Sequence, residues 1–441
     1  MRRCLLPLGL AALFFNPAFA QTDDALPGRP YETGNLPAPR ATEPAAPLTL
    51  KAALELALAA NPELSAAGRE LEAVAATIMQ AQVRPNPEIS AFMENLPQAT
   101  RTTTLQLNQP LELGGKRGAR IDAAERDRDA ASAELGAKRA EIRAAVVAAF
   151  FDVLVAQERL RLAHASVELA QRATGAASRR VTAGKVSPVE ETKARVAEAG
   201  VRIEWSLAGS GLATARKRLA ATWGNPAPRF ESAEGSPEAL PPLPSLADLN
   251  SRLINSPNLL RASIEVDRRL ALAEVERSRR IPNLTVSLGT KRTEVTGRNE
   301  AATILGVSIP IPLFDRNQGK LREALLRTDK ARDELSAAET RLSNELALAH
   351  ERLNAAHLEV TLLQRDILPG AQSAYNAASK GFELGKFSFL EVLDAQRTSF
   401  QAQSQYLRAL TEAHRSAAEI ERILGEPLQT QASPNSATKK P

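Results

Sequence analysis

The chain has 441 residues, 44% hydrophobic and 24% charged, with aromatics at only 4% and a formal net charge of +5. Its apolar residues are mostly Ala, Leu and Val, a mix that suits long helices packed through small side chains better than a compact mixed core. Lys/Arg and Asp/Glu are interleaved through the helical stretches, which describes a solvated surface and excludes a nucleic-acid patch, since that needs clustering on one face.

The opening MRRCLLPLGLAALFFNPAFA has a basic start (Arg2, Arg3), an apolar run from Cys4 to Phe15, and a small-x-small site at Ala18-Phe19-Ala20. This reads as an export signal over residues 1–20. Cleavage before Gln21 removes Cys4, the one cysteine, so the mature chain has neither disulfide nor thiol chemistry. Cys4 precedes the apolar run and is not placed for lipid attachment. No later stretch reaches the roughly 18 apolar residues of a spanning helix. An exported chain of this kind is periplasmic, secreted, or inserted in an outer membrane as a β-barrel.

Residues 21–47, rich in Pro, Gly and Ala, read as an extended leader. A helical pattern then runs from Thr49 to about Val83, where Arg84-Pro85-Asn86-Pro87 stops it. Two short strands are expected, Glu88 to Asn95 and Arg101 to Gln109, the second alternating Leu105 and Leu107 with Thr104, Gln106 and Asn108. Gly114-Gly115 opens a helix lasting to about Thr182. Gly184 turns the chain, and Ser187-Pro188 supplies an N-cap and first-turn pair for the next helix. That helix ends near Trp223-Gly224-Asn225-Pro226, and a Pro/Glu/Ser-rich linker (227–244) closes the first half.

The second half replays this order. Asn61-Pro62 recurs as Ser256-Pro257, Pro87 as Pro282, and Gly224-Asn225-Pro226 as Gly425-Glu426-Pro427. Strands are expected from Leu284 to Gly289 and from Ala302 to Ile309. A helix runs from about Gln318 to Glu383, turns at Gly385-Lys386, and continues from Ser388 to Leu424. The repeats are thus 48–226 and 245–427, with a flexible tail at 428–441. Each long helix spans about 100 Å at ~1.5 Å per residue, and the two shorter helices of each half match it when stacked end to end. Leu342, Leu346, Ala349, Leu353, Ala356, Val360, Leu363 and Ile367 alternate steps of four and three, a coiled-coil seam.

The fold class is mainly α with a small β part. Four strands cannot close a barrel, and open edges aggregate in water or stay unsatisfied in lipid. Three chains would supply twelve strands, an even number inside the outer-membrane range. Leu105, Leu107, Leu284, Val286 and Leu288 could then face lipid, with Gln106, Asn108, Thr285 and Ser287 toward a wet lumen. The competing reading is a small soluble sheet capping the helices of a periplasmic coiled-coil scaffold or adaptor.

The double repeat, LTLKAALELALAANPEL (48–64), the Gly-Lys turns and FLEVLDAQ (389–396) resemble the TolC family of outer-membrane efflux channels, from about Leu48 to Pro427. QPLELGGKRGARI (109–121) and IPIPLFDRNQGK (309–320) resemble its heavy-metal branch, the outer-membrane component of cobalt–zinc–cadmium cation efflux. A broad drug-efflux channel is the rival within the family. The resemblance implies a homotrimer in outer-membrane lipid, with a twelve-stranded β-barrel continuing into a periplasmic α-helical barrel. It also implies a periplasmic adaptor and an inner-membrane proton-driven pump of the resistance–nodulation–division class, with no cofactor. By the same resemblance, the Gly184 and Gly385 turns are periplasmic hairpin tips. The family's constriction falls on Glu391 and Asp394, and adaptor docking falls on Gly184, Lys185, Val186, Gly385, Lys386 and Phe387. The first repeat has Glu190 at the place of Glu391 but Lys193 at that of Asp394, so the two tips are not equivalent. Phe387 has two readings, docking anchor or packing on its own hairpin. Glu391 and Asp394 likewise fit ordinary helix N-terminal acids favoured by the macrodipole.

No catalytic constellation is legible. His350 and His357 lie seven apart on one helix, but His350-Glu351 is followed by Arg352-Leu353-Asn354, not by a second histidine at zinc-site spacing. His164 and His414 stand alone. GFELGKFS and ELGGKRG lack the spacing and the Ser/Thr of a phosphate loop.

Overall fold

The computed structural model describes residue 43 and residues 47–95, 100–295, 298–384 and 386–428. The export signal, nearly all of the leader, Gly385 and the C-terminal tail beyond Leu428 lie outside the described residues. The first half comprises α1 (Leu50–Ala60), α2 (Pro62–Gln82), β1 (Glu88–Glu94), β2 (Thr100–Leu111), α3 (Lys116–Thr182) and α4 (Pro188–Ala221). The second comprises α5 (Leu246–Leu253), α6 (Pro257–Ser278), β3 (Leu284–Val295), β4 (Arg298–Ser308), α7 (Gln318–Leu362), a π-helical turn (Leu363–Ile367), α8 (Leu368–Glu383) and α9 (Phe389–Leu424).

The stretch from Thr49 to Val83 forms two helices, not the one expected. Pro62 has no N–H and its ring excludes a carbonyl four residues back, so the helix restarts there. Asn61 caps the restart, its side chain accepting from Leu64 N at 2.9 Å, and its amide donates to Thr222 O at 2.8 Å. The second half repeats the device, with Ser256 accepting from Leu259 N at 3.3 Å ahead of Pro257. Gly224 and Gly425 both hold a positive φ (75° and 77°), and each lies against the proline that opens α2 or α6. The repeat seen in sequence is therefore a repeat of contacts.

The four strands form one antiparallel sheet in the order β1-β2-β3-β4. Two hairpins, one from each half, join through β2 and β3, leaving β1 and β4 as edges. The last three strands run longer than expected, with 12, 12 and 11 residues. Register places Ile89, Leu107, Leu288 and Leu305 in one row across all four strands.

Each half has its own core. α1, α3 and α4 enclose Val146, Phe150, Leu154, Leu219 and Trp223, and α5, α7 and α9 enclose Leu249, Leu346, Leu353, Ile420 and Ile423. The segment 227–244, expected as a linker, packs on the first core through Phe230 and Ala233. Gln157 bonds both the N–H and the carbonyl of Ala233, and Ala233 bridges Leu48 in parallel.

The long second-half helix departs from expectation. Leu342 through Leu363 are buried as the seam requires, but Ile367 is exposed. The buried line resumes one residue late, through Leu368, Ala371, Tyr375, Ala378 and Phe382. One extra residue turns a helix face by about 100°. The π-turn absorbs it, with Leu368 N–H donating five residues back to Leu363 O. Pro369 follows at once, and the wider turn accommodates its missing N–H.

Candidate functional site: an outward-greasy sheet and two hairpin tips

The sheet inverts the usual order of burial. The row Ile89, Leu107, Leu288 and Leu305 is exposed at 76%, 46%, 56% and 76%. Neighbouring rows on the same face add Leu105, Leu111, Val286 and Val307. The opposite face carries Ser90, Gln106, Asn108, Thr285 and Ser287. There Asn108 donates to Ser90 Oγ at 3.0 Å and accepts from Ser287 Oγ at 2.6 Å. A contiguous exposed aliphatic band of this kind marks a nonaqueous neighbour. β2, β3 and β4, at 12, 12 and 11 residues, reach the roughly 9–11 tilted residues that cross a bilayer, and β1 has 7. No helix among the described residues is long and apolar enough to cross a membrane.

Two elbows join sheet to rods, and they are the two motifs quoted for the heavy-metal branch. Gly115 (φ 73°) and Asn317 (φ 55°) occupy the N-cap positions of α3 and α7 in the left-handed region. At the first elbow the Arg120 guanidinium grips both oxygens of Glu112 (2.5 and 3.1 Å) and reaches the carbonyls of Ala81 and Val83, near the end of α2. The Arg120 hydrogen bonds hold the Glu112 carboxyl below the usual carboxylate range, so this clamp is ionised at neutral pH. At the second elbow the Asn317 amide donates to the carbonyl and the carboxylate of Glu276, at 2.8 and 2.7 Å.

At the far end of the rods, Gly184 (φ 68°) closes α3. Gly184 N donates to Val181 O and Lys185 N to Arg180 O, both at 2.9 Å, the paired bonds of a glycine helix stop. The second tip shows the matching bond, Lys386 N to Gly381 O at 2.8 Å, while Gly385 itself is outside the described residues. Lys185 and Lys386 are exposed and Val186 is half-buried. Phe387 lays its ring on Gly381, where any Cβ would collide with it, and remains 44% exposed. Phe387 thus packs on its own hairpin while keeping an edge toward solvent.

Glu391 and Asp394 are both exposed in the first turns of α9. The Glu391 carboxylate accepts from Ser388 N (2.6 Å) and Ser388 Oγ (2.9 Å), completing a capping box. Glu191 of the first tip pairs with Arg195. Glu190, the counterpart of Glu391, makes no such box and is half-buried.

Sequence reasoning missed the brace between the tips. Arg180, near the end of α3, donates to Phe382 O and sets its guanidinium 4.0 Å from the centre of the Phe382 ring. The available signal was positional: each residue lies three or four places before its tip glycine.

Three of the four histidines have structural partners. His350 Nε2 bonds Pro244 O at 3.0 Å and His414 Nε2 bonds Pro237 O at 2.9 Å, fastening the 227–244 segment to the second half. His414 also stacks on Phe151 at 3.5 Å, and burial pushes its pKa down. His164 sits edge-on to Trp205. Among the described residues, no group of three or more His, Cys, Asp or Glu is arranged to hold a metal ion.

An open sheet with one aliphatic and one polar face, continuous with paired rods of about 100 Å, is the build of a membrane-channel protein. The family described as outer membrane efflux protein matches residues 53–225 and 249–426, and the chain belongs to that family. It is 50% identical to the cobalt-zinc-cadmium resistance protein CzcC of Cupriavidus metallidurans, over 96% of this chain and 100% of that one. It is 30% identical to the nickel and cobalt resistance protein CnrC of the same organism, over 64% of this chain and 68% of that one. Its fold is similar to the crystal structure of CusC, with a TM-score of 0.71 at 19% identity, covering 86% of this chain and 92% of that one.

Proposed function

We propose that the chain is one subunit of an outer-membrane conduit that exports heavy-metal cations from a Gram-negative cell. The observation that carries the membrane part is the exposed aliphatic row across all four strands, backed by a polar face. The cargo reading rests on the full-length likeness to the cobalt-zinc-cadmium resistance protein.

Two bare edges and four strands call for further copies. In this reading three chains close a twelve-stranded barrel in outer-membrane lipid by pairing β4 of one with β1 of the next, and their rods enclose a periplasmic α-helical tunnel. Cargo arrives from an inner-membrane proton-driven pump of the resistance–nodulation–division class through a periplasmic adaptor that docks at Gly184, Lys185, Val186, Gly385, Lys386 and Phe387. Threefold symmetry would gather six carboxylates, from Glu391 and Asp394, around the tunnel mouth. A ring of that kind concentrates cations and repels anions. Lys193 denies the first tip the same pair.

The test is a deletion strain challenged with zinc, cobalt, cadmium, nickel and copper salts and with an organic dye. Metal sensitivity on deletion, with tolerance restored by the wild-type chain, is the expected result. Unchanged metal tolerance with new dye sensitivity would move the cargo to organic solutes. A salt-extracted, detergent-free monomer would overturn the conduit in favour of a scaffold. In planar bilayers, Glu391→Ala/Asp394→Ala should raise conductance and lower cation preference, with Glu190→Ala changing neither.

A further inference from the structure

The two elbows between sheet and rods align at a spacing of 200 residues, and they differ in charge. Glu112, Gly114 and Asp122 of the first become Pro312, Phe314 and Arg322 of the second, while Lys116 and Arg120 keep their sign as Arg316 and Lys320. The first elbow spends its cations on itself: Arg120 grips Glu112, Lys116 donates to Asn283 Oδ1, and Arg117 donates to Gln82 O. The second has lost both of those carboxylates. Arg316, Lys320 and Arg322 are exposed there, and none forms an ion pair with a described residue. Of the acids beside them, Asp315 accepts from Asn317 N and Glu323 pairs with Arg327. Farther along the rods arginines are commonly matched, as in Arg161–Glu158 and Arg415–Asp152. These three cations are left for an anion from outside the chain.

The same elbow carries the longest apolar line of the molecule's surface. Leu305 and Val307 of β4 lead into Ile309, Ile311 and Leu313 beyond its last residue, every second side chain exposed, and Phe314 ends the line at 90% exposure. Fully extended, Leu305 to Leu313 covers roughly 26 Å, about the height of the apolar band of an outer-membrane barrel. Pro310 and Pro312 carry no N–H, which leaves fewer bare donors against lipid. The same prolines stop a neighbouring strand from pairing past Ser308, so strand pairing with a second copy does not extend over this stretch. The cations stand where the apolar line stops, at the depth of lipid phosphates.

We propose that the second elbow is a binding site for an anionic phospholipid of the leaflet that faces the rods. Arg316, Lys320 and Arg322 take the headgroup phosphate through charge-assisted hydrogen bonds. Ile309, Ile311 and Leu313 run beside the acyl chains, and Phe314 sits at the glycerol level, where an aromatic ring is at home. Clustered Lys/Arg next to an apolar surface favours lipids of net negative charge, such as phosphatidylglycerol, over zwitterionic ones. The proposal rests on the conduit reading for placing the sheet in a bilayer. It makes the two elbows unlike in role, the first a closed clamp and the second a lipid contact.

The experiment reconstitutes the full-length channel in phosphatidylcholine vesicles with a trace of spin-labelled phosphatidylglycerol or spin-labelled phosphatidylcholine. Electron spin resonance then reads the fraction of each label that the protein immobilises. Phosphatidylglycerol should be preferred about threefold or more at low salt, with the preference shrinking at high salt. R316E/K320E/R322E should abolish the preference, and the conservative R316K/R322K should keep most of it. R172E/R179E, on the exposed surface of α3 some 80 Å along the rod, should leave it unchanged. Millimolar glycerol phosphate should not compete, because it brings no acyl chain to the apolar line. No preference in the wild type, or one that survives the triple reversal, overturns the proposal; loss of preference to glycerol phosphate overturns it in favour of a soluble anion. The two ideas fail differently. Lipid immobilised without headgroup preference leaves the conduit standing and removes the site, whereas no immobilised lipid at all sinks the membrane reading itself.

Discussion

In the first half, α3 runs unbroken from Lys116 to Thr182; its counterpart in the second half is α7, a π-turn and α8. Down to that turn the seam residues correspond one for one, Ile142 with Leu342, Val153 with Leu353, Ala163 with Leu363. Below it the correspondence slips by one residue, Ala170 with Ala371 and Ala177 with Ala378. The two halves share a plan for the upper rods and differ in how the lower rods hang. A helix carrying a π-turn next to Pro369 has a defined place to bend, and it lies above the tip that bears Glu391 and Asp394. The first half has no such place and no such acid pair. The difference teaches that one inserted residue, taken up by a π-turn, is enough to let two repeats with the same upper seam end in unlike tips.

The largest effect expected from breaking this symmetry is at the glycines that close α4 and α9. A Cβ on Gly425 would collide with the Pro257 ring, whereas one on Gly224 would stand 3.1 Å from Pro62 Cγ. Gly425→Ala should cost about 3 kcal/mol and Gly224→Ala about 1–2 kcal/mol in urea unfolding, strain at positive φ being common to both and overpacking adding to the first. Equal costs would show the two turns to be interchangeable.

Next comes the fastening of those same turns. After α4 the chain is held by Glu43, which accepts from the Trp223 indole (2.9 Å), the Asn225 amide (2.5 Å) and the backbone N–H groups of Arg229 (2.5 Å) and Phe230 (3.1 Å). After α9 the work falls to Glu421, bonded to Leu428 N, and to Arg252 on Glu426. Partial burial opposes the charge on Glu43, but the four hydrogen bonds outweigh it and hold the pKa below the usual range. Its stabilisation is therefore present above the ordinary carboxylate range and is lost as pH falls through the depressed folded value. Glu43→Ala should cost about 2 kcal/mol at neutral pH, and the gap between variant and wild type should close in acid.

A sharper test makes the second rod resemble the first. Deleting Gln364 together with Pro369→Ala restores unbroken steps of four and three through Phe382. The edited helix should lose its π-turn and unfold at equal or slightly higher denaturant, a gain of about 1 kcal/mol at most. A loss of several kcal/mol would show that the extra residue is required for packing.

The smallest expected effect is a pH slope. His414 is buried and its pKa depressed, while the unfolded chain binds a proton in the ordinary imidazole range. Stability should be full above that range and decline as pH falls from it toward the folded value. His414→Gln should flatten the slope between pH 7 and 5 in thermal melts, within about 1 kcal/mol.

Most of this architecture was legible in the sequence because its signals are local or periodic. Proline restarts, glycine stops and alternating strand residues act through the backbone, and they mark Asn61-Pro62, Gly184 and Leu105 to Asn108 without knowledge of the fold. The π-turn is marked only by Leu368-Pro369-Gly370, because the steps of four and three continue through Ile367 in the sequence and nothing local shows that the buried line shifts by one residue. The Arg180–Phe382 brace leaves only the positional signal of each residue standing just before its tip glycine. The pairing itself joins segments about 200 residues apart in sequence, and no single-chain pattern reports such a meeting.

The outward-greasy sheet has a consequence for biogenesis. A newly secreted copy would carry its aliphatic row and both naked strand edges through the aqueous periplasm, where such surfaces nucleate β-aggregates. In the conduit reading, strand pairing is therefore best delayed until the bilayer and the neighbouring copies are at hand. Mutations that slow arrival should poison the cell envelope even when the finished pore would be sound.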